Sequence, residues 1–198
     1  MPLREEQANF IQRIIMRVLK IRPLLLILTF IFSAGTLANA ESNAQKLDRK
    51  ANNAINRFYK EVKGSQEFLN KAKGYLVFPE IMKAGFVVGG SYGKGVMRIN
   101  GQTKHYYDVT SASFGWQIGA QKHSMVIAFL TDASLDNFIK SNGWEAGIDG
   151  TITLIDEGIS KDITSLSYEK PIIAFIYGEK GLMGGISMEG NKFRRILP

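Results

Sequence analysis

The chain contains no cysteine, which excludes disulfides, thiolate metal sites and a thiol nucleophile. Histidine is nearly as scarce. The two present, His105 and His123, fall in different predicted hairpins, with no carboxylate or second histidine at metal-ligand spacing, so neither a metal nor a cofactor is expected. The Gly-x-Ser-x-Gly elbow of hydrolases is also missing: Ser91 follows Gly90 but is followed by Tyr92 and Gly93. The glycine-rich stretch GGSYGKG, from Gly89 to Gly95, lacks the phosphate-loop pattern. Its lysine, Lys94, is followed by Gly95 and a strand-like run, where that loop needs Ser or Thr and then a helix. A β-hairpin with glycines at positive φ accounts for it. The acidic residues Asp132, Asp136, Glu145, Asp149, Asp156 and Glu157 lie near predicted turns, where short carboxylates cap helices or solvate loops, and no two are singled out as a catalytic pair. No enzyme is expected.

The chain also lacks an apolar run long enough to cross a bilayer, which takes ~20 residues. The best one, LLLILTFIF from Leu24 to Phe32, is followed by Ser33, Gly35, Thr36 and Asn39. Arg4, Arg13, Arg17, Lys20 and Arg22 precede it and Ala38-Asn39-Ala40 follows it, an order that reads as a secretory signal over residues 1–40 with cleavage before Glu41. With no lipobox cysteine for a lipid anchor, the expected location is the periplasm, free or peripheral on a membrane. The leader holds five of the 25 basic residues and Glu5 and Glu6 of the 18 acidic ones, so the rest carries a net of only +4. Residues 41–198 suit one domain with one core.

Within that domain Ala44, Leu47, Ala51, Ala54, Ile55, Phe58 and Val62 recur at helical spacing, predicting an amphipathic helix. The opposite arc carries Lys46, Arg49, Lys50, Arg57 and Lys60. Such a face either is the solvated side of a docked helix or meets anionic headgroups, and with three alanines among seven apolar positions it buries too little to insert in a bilayer. A shorter helical segment, Gln66 to Lys73, is expected to end at Gly74. Beyond it, short β-branched and aromatic runs cut by Gly, Asn and Asp predict successive antiparallel hairpins: 75–78, 85–89, 93–99, 105–109, 113–120 and 124–130, then 150–155, 163–168, 172–177, 182–187 and 193–196. A third helix, Ala133 to Lys140, interrupts them, capped by Thr131 or Asp132. With 20 glycines, many inside strands, bulges and curvature are expected. The predicted class is α+β: N-terminal amphipathic helices packed on a strongly curved, barrel-like antiparallel sheet.

The segment from Ala72 to Gln102 resembles the SYLF (YSC84-like) domain family through Ala72-Lys73-Gly74, Val77-Phe78-Pro79, Lys83-Ala84-Gly85-Phe86 and Gly93-Lys94-Gly95-Val96. Ser111 to Ala120, the apolar run Met125 to Phe129, and Gly181 to Gly190 are similar to later strands of that family. The resemblance implies lipid or membrane association without catalytic residues. It also brings the family's eukaryotic tie to actin, a partner not expected in a periplasm. The function expected is therefore non-enzymatic binding of phospholipid or a membrane surface in the cell envelope. Its candidate residues are Lys46, Arg49, Lys50, Arg57 and Lys60, with Lys83, Lys94 and Arg98 near the central hairpin as a second group. The alternative is a structural protein that pairs strand edges with another envelope protein or another copy. Nucleic acid is not an expected partner of an exported chain.

Overall fold

A computed structural model describes residues 41–141, 143–156, 163, 170–178 and 187–198, with backbone alone for 85–88, 113–120 and 156. The expected signal over 1–40 lies outside the described residues. Helix α1 (Asn43–Glu61) starts with a capping box: Ser42 Oγ accepts from Gln45 N at 3.1 Å, and Gln45 Oε1 accepts from Ser42 N at 2.9 Å. Its buried stripe is Ala51, Ala54, Ile55 and Phe58, the phase expected from the sequence. Helix α2 (Ser65–Lys71) ends three residues before Gly74; Ala72 is already extended, and Gly74 opens a strand instead of closing the helix. Helix α3 (Asp132–Lys140) is capped by Thr131, whose hydroxyl accepts from Ser134 N at 3.2 Å.

The six short strands expected between residues 75 and 130 are two long ones. Strand β1 (Gly74–Ile99) and strand β2 (Gln102–Phe129) pair antiparallel along almost their whole length. One two-residue turn joins them, Asn100-Gly101, with φ of 52° and 73°, the left-handed pair that an Asn-Gly hairpin supplies. The GGSYGKG stretch is not a turn: it runs through β1, and the positive-φ glycines among the described residues lie elsewhere. Its glycines serve close approach. A Cβ at Gly95 would stand 2.8 Å from the Val77 carbonyl oxygen and 2.7 Å from the Phe78 ring, and one at Gly93 2.9 Å from the Glu80 oxygen. The long hairpin therefore doubles back, its bends marked by register shifts at Phe78/Ile81, Gly85/Val87 and Met97/Arg98.

Four short strands complete the sheet. Strand β3 (Trp144–Glu145) pairs with β6 (Lys192–Ile196), β6 with Tyr106–Thr110 of β2, and β5 (Ile172–Tyr177) with Ser124–Phe129 at the other end of β2. Strand β4 (Thr153–Asp156) lies on the outer side of β5 and runs parallel to it, so the sheet is mixed where an antiparallel one was expected. A parallel pair needs a crossover of a dozen or more residues, which 157–171 supply. Of the strands expected at 163–168 and 182–187, only Ile163 and Ser187 are described.

Where β2 pairs with β5 both faces of the sheet are covered, which is why the run IIAFIY in β5 is apolar throughout and buried at all six positions. On one face Val77, Val96, Val126 and Ala128 pack with Phe58, Phe68 and Leu69 of the first two helices. On the other, Leu76, Phe78, Met125, Ile127 and Phe129 pack with Leu135 and Phe138 of α3 and with Trp144 and Phe193. The alternation of neighbouring residues between the two clusters is the period of two that a strand imposes.

Candidate functional site

Helix α1 stays on the sheet through polar anchors along both flanks. On one flank Asp48 accepts from Thr103 Oγ1 at 2.7 Å and from Tyr106 OH at 2.9 Å, and stands 3.7 Å from Arg98 Nη2. Arg98, a predicted site residue, is thus drawn under the helix: its side chain is 16% exposed and its Nε is buried without a hydrogen-bond partner. On the other flank Arg57 donates from Nη2 to Ser124 Oγ at 2.5 Å, and its guanidinium carbon sits 5.4 Å from the Tyr177 ring centroid. Arg57 is an anchor, with Glu61 at 3.7 Å as a further partner. Tyr177 OH, for its part, donates to the Ala54 carbonyl at 2.9 Å.

Buried Ser124 passes the connection on, donating to the Pro79 carbonyl at 2.7 Å. Pro79 sits at the first register shift of β1, a place where a strand tolerates proline. Helix, β2 and bulge are therefore tied together at one point. Beside that point α1 and β1 form a groove of about 300 Å³, lined on the helix side by Asn43, Lys46, Leu47 and Lys50. Its strand side presents Pro79, Glu80, Met82, Tyr92, Gly93 and Lys94, and Pro198, two residues past β6, completes the lining.

Two periodicities make this groove. Asn43, Lys46 and Lys50 fall on one row of α1 at spacings of three and four. In β1 the exposed positions Glu80, Met82, Tyr92 and Lys94 are even-numbered, while Gly93 and Gly95 between them are buried. The groove thereby unites Lys46 and Lys50 with Lys94, which the sequence had put in separate groups. Among the described residues no carboxylate pairs with these three lysines. Glu80, the one carboxylate side chain lining the groove, stands 3.5 Å from Lys122. Met82 and Tyr92, exposed to 46% and 47%, give it an apolar side that sequence reasoning did not single out. The available signal was the isolated Tyr92 amid glycines.

The other predicted residues stand apart. Arg49 and Lys60 are exposed and are absent from the groove lining. Lys83 is half-buried and lines a smaller pocket of about 100 Å³ with Ser91, Ser111, His123 and Glu189. His105 lies against Arg195, and burial, then the charges of Arg195 and Lys104, hold its imidazole below the usual histidine range. Four of the six acidic residues have ordinary surface partners: Asp132 pairs with Lys73 at 3.1 Å, Asp136 with Lys140 at 3.2 Å, Glu145 with Lys192 at 3.1 Å, and Asp149 accepts from Glu145 N at 2.7 Å, while Glu157 and the Asp156 side chain lie outside what is described. Among the described residues no three potential ligands gather as a metal site, and no helix is long and apolar enough to cross a membrane.

No curated protein matches the chain. Residues 110–195, which run from within β2 into β6, match the family described as "Ysc84: Las17-binding protein actin regulator", so this segment is similar to a Ysc84, or SYLF, domain. The match lies C-terminal to the Ala72–Gln102 motifs that first suggested the family, and contains the later ones at Ser111–Ala120 and Gly181–Gly190.

Proposed function

We propose that this Ysc84-like domain is a non-enzymatic phospholipid-binding module of the cell envelope that meets anionic headgroups through the α1–β1 groove. The observation that carries the reading is the convergence of Lys46, Lys50 and Lys94, unpaired among the described residues, beside exposed Met82 and Tyr92. Each basic residue near an anionic surface contributes about 1 kcal/mol, so three supply about 3 kcal/mol, or roughly a hundredfold in affinity. Apolar neighbours at the rim add contact with the acyl boundary, as in interfacial helices. Arg49 and Lys60 extend the positive field outward. Arg57 and Arg98 contribute by holding the helix in place.

The leader-like order of residues 1–40 supports export to the periplasm. The family description names Las17 binding and actin regulation. An exported chain meets neither, and lipid is the partner its groove chemistry fits.

The test is co-sedimentation of the purified protein with neutral and with anionic vesicles across a salt series, beside a variant carrying Lys46→Gln, Lys50→Gln and Lys94→Gln. Binding to anionic vesicles alone, weakening as salt shortens the screening length and lost in the variant, is the expected result. No binding to any vesicle, or salt-insensitive self-association, would overturn the reading in favour of strand-edge contacts.

A further inference from the structure

We infer that the α1–β1 groove is a stoichiometric site for one phosphate-bearing lipid, with the phosphate held among Lys46, Lys50 and Lys94 and the first methylenes of one chain over Met82 and Tyr92. This deepens the preceding reading and rests on it: a surface can be held by diffuse charge, whereas the groove has the attributes of a site. Its three lysines come from two elements, α1 and β1, that fold together around one space, with Glu80 and Pro198 also in the lining. Lysine ammonium groups suit phosphate as point charges with rotatable donors.

The apolar side is equally local. Met82 and Tyr92 are two of the four large exposed hydrophobic side chains among the described residues, and they line the same groove with Leu47 and Pro79. A volume of about 300 Å³ lies at the lower end of small-ligand sites. It admits a headgroup and the start of one chain, while two acyl chains would remain outside. The floor is preformed, because the Pro79 carbonyl is fixed by Ser124, and Ser124 by Arg57. Gly93 closes the wall where a Cβ would stand 2.8 Å from Ile81 Cγ1.

The test is calorimetric titration of the purified protein with short-chain lysophosphatidate below its micelle concentration, beside lysophosphatidylcholine of equal chain length and inorganic phosphate. One saturable lysophosphatidate site per chain, at least tenfold tighter than either comparison ligand, is expected. Met82→Ser with Tyr92→Ser should reduce lysophosphatidate affinity to that of inorganic phosphate; both side chains are exposed, and an unchanged melting temperature verifies that the fold is intact. Equal binding of inorganic phosphate and lysophosphatidate would make this a free-anion site and overturn the inference. Binding to anionic vesicles without saturable lysophosphatidate binding would overturn it while leaving the surface reading intact, and absence of both would remove the two together.

Discussion

Replacing Asp48 by alanine should loosen the helix that forms one wall of the lysine groove. The carboxylate accepts two hydroxyl hydrogen bonds, from Thr103 at 2.7 Å and Tyr106 at 2.9 Å, and faces Arg98 at 3.7 Å. A hydrogen bond to a charged group contributes about 1.5–3 kcal/mol, and removing one member of a fully buried ion pair costs about 3–5 kcal/mol. The upper figures do not apply, because the Asp48 side chain is 30% exposed and the three interactions share one acceptor. We expect a loss of about 2–3 kcal/mol, which in a domain of this size lowers the melting temperature by roughly 4–12 °C. Asp48→Asn keeps the shape and an acceptor oxygen and should lose about half as much. Urea unfolding gives the energy, and titration of tyrosine absorbance gives a second readout. The Tyr106 phenol is held above the usual tyrosine range by burial, then by its hydrogen bond to Asp48 and that residue's charge, so Asp48→Ala should lower its midpoint. A loss under about 0.5 kcal/mol, the range of unexceptional surface changes, together with an unmoved Tyr106 titration, would refute the anchoring role.

Other perturbations test the rest of the architecture. Phe58→Ala empties a fully buried position between the rings of Phe175 (5.2 Å) and Tyr177 (5.0 Å) and should cost about 3–5 kcal/mol in chemical denaturation. Gly95→Ala should cost at least about 1–3 kcal/mol, since the added carbon meets the Val77 carbonyl, which is backbone and cannot rotate away; a neutral result would contradict the doubling-back of β1. The Tyr59 phenol is pushed up to about 12 by burial, and further by the charge of and hydrogen bond to Tyr75. A raised pKa means stability fully present below the ordinary tyrosine value near 10 and lost as pH rises from there to about 12, a slope that Tyr59→Phe should flatten in alkaline unfolding. His105 has the opposite sense: its folded-state pKa is lowered, so its contribution is complete above the ordinary value near 6.5 and declines as pH falls below it. His105→Asn should flatten that acid limb.

The helices were legible because their signals are local: Ser42 and Gln45 form the capping box, and the apolar residues from Ala51 to Phe58 keep one phase. The curved α+β class was legible from glycines inside apolar runs. The strand lengths were not, because glycine was read as punctuation. In β1 Gly93 and Gly95 sit in extended backbone and serve close packing of the strand on itself, a tertiary contact that no local pattern encodes. The true turn carried a local signal that was passed over, the Asn100-Gly101 pair between two apolar runs. The parallel β4–β5 pair depends on a crossover, and pairing direction is not written in four residues of β4. For the site, the basic arc of α1 was visible as a charge pattern. Its division into groove lysines and anchors was not, since Arg57 and Arg98 take their roles from Ser124, Tyr177 and Asp48, all distant in sequence.

The central claim, that the α1–β1 groove is the surface that meets lipid, is tested most directly by placing a reporter in it. The chain has no native cysteine, so Met82→Cys and, on the outward face of α1, Asn53→Cys can each carry a single polarity-sensitive dye. Anionic vesicles should shift the dye at position 82 toward an apolar environment, in a salt-sensitive manner, while neutral vesicles leave it unchanged and the dye at 53 responds weakly. A response at 53 with none at 82, or the same response to neutral and anionic vesicles, would contradict the claim.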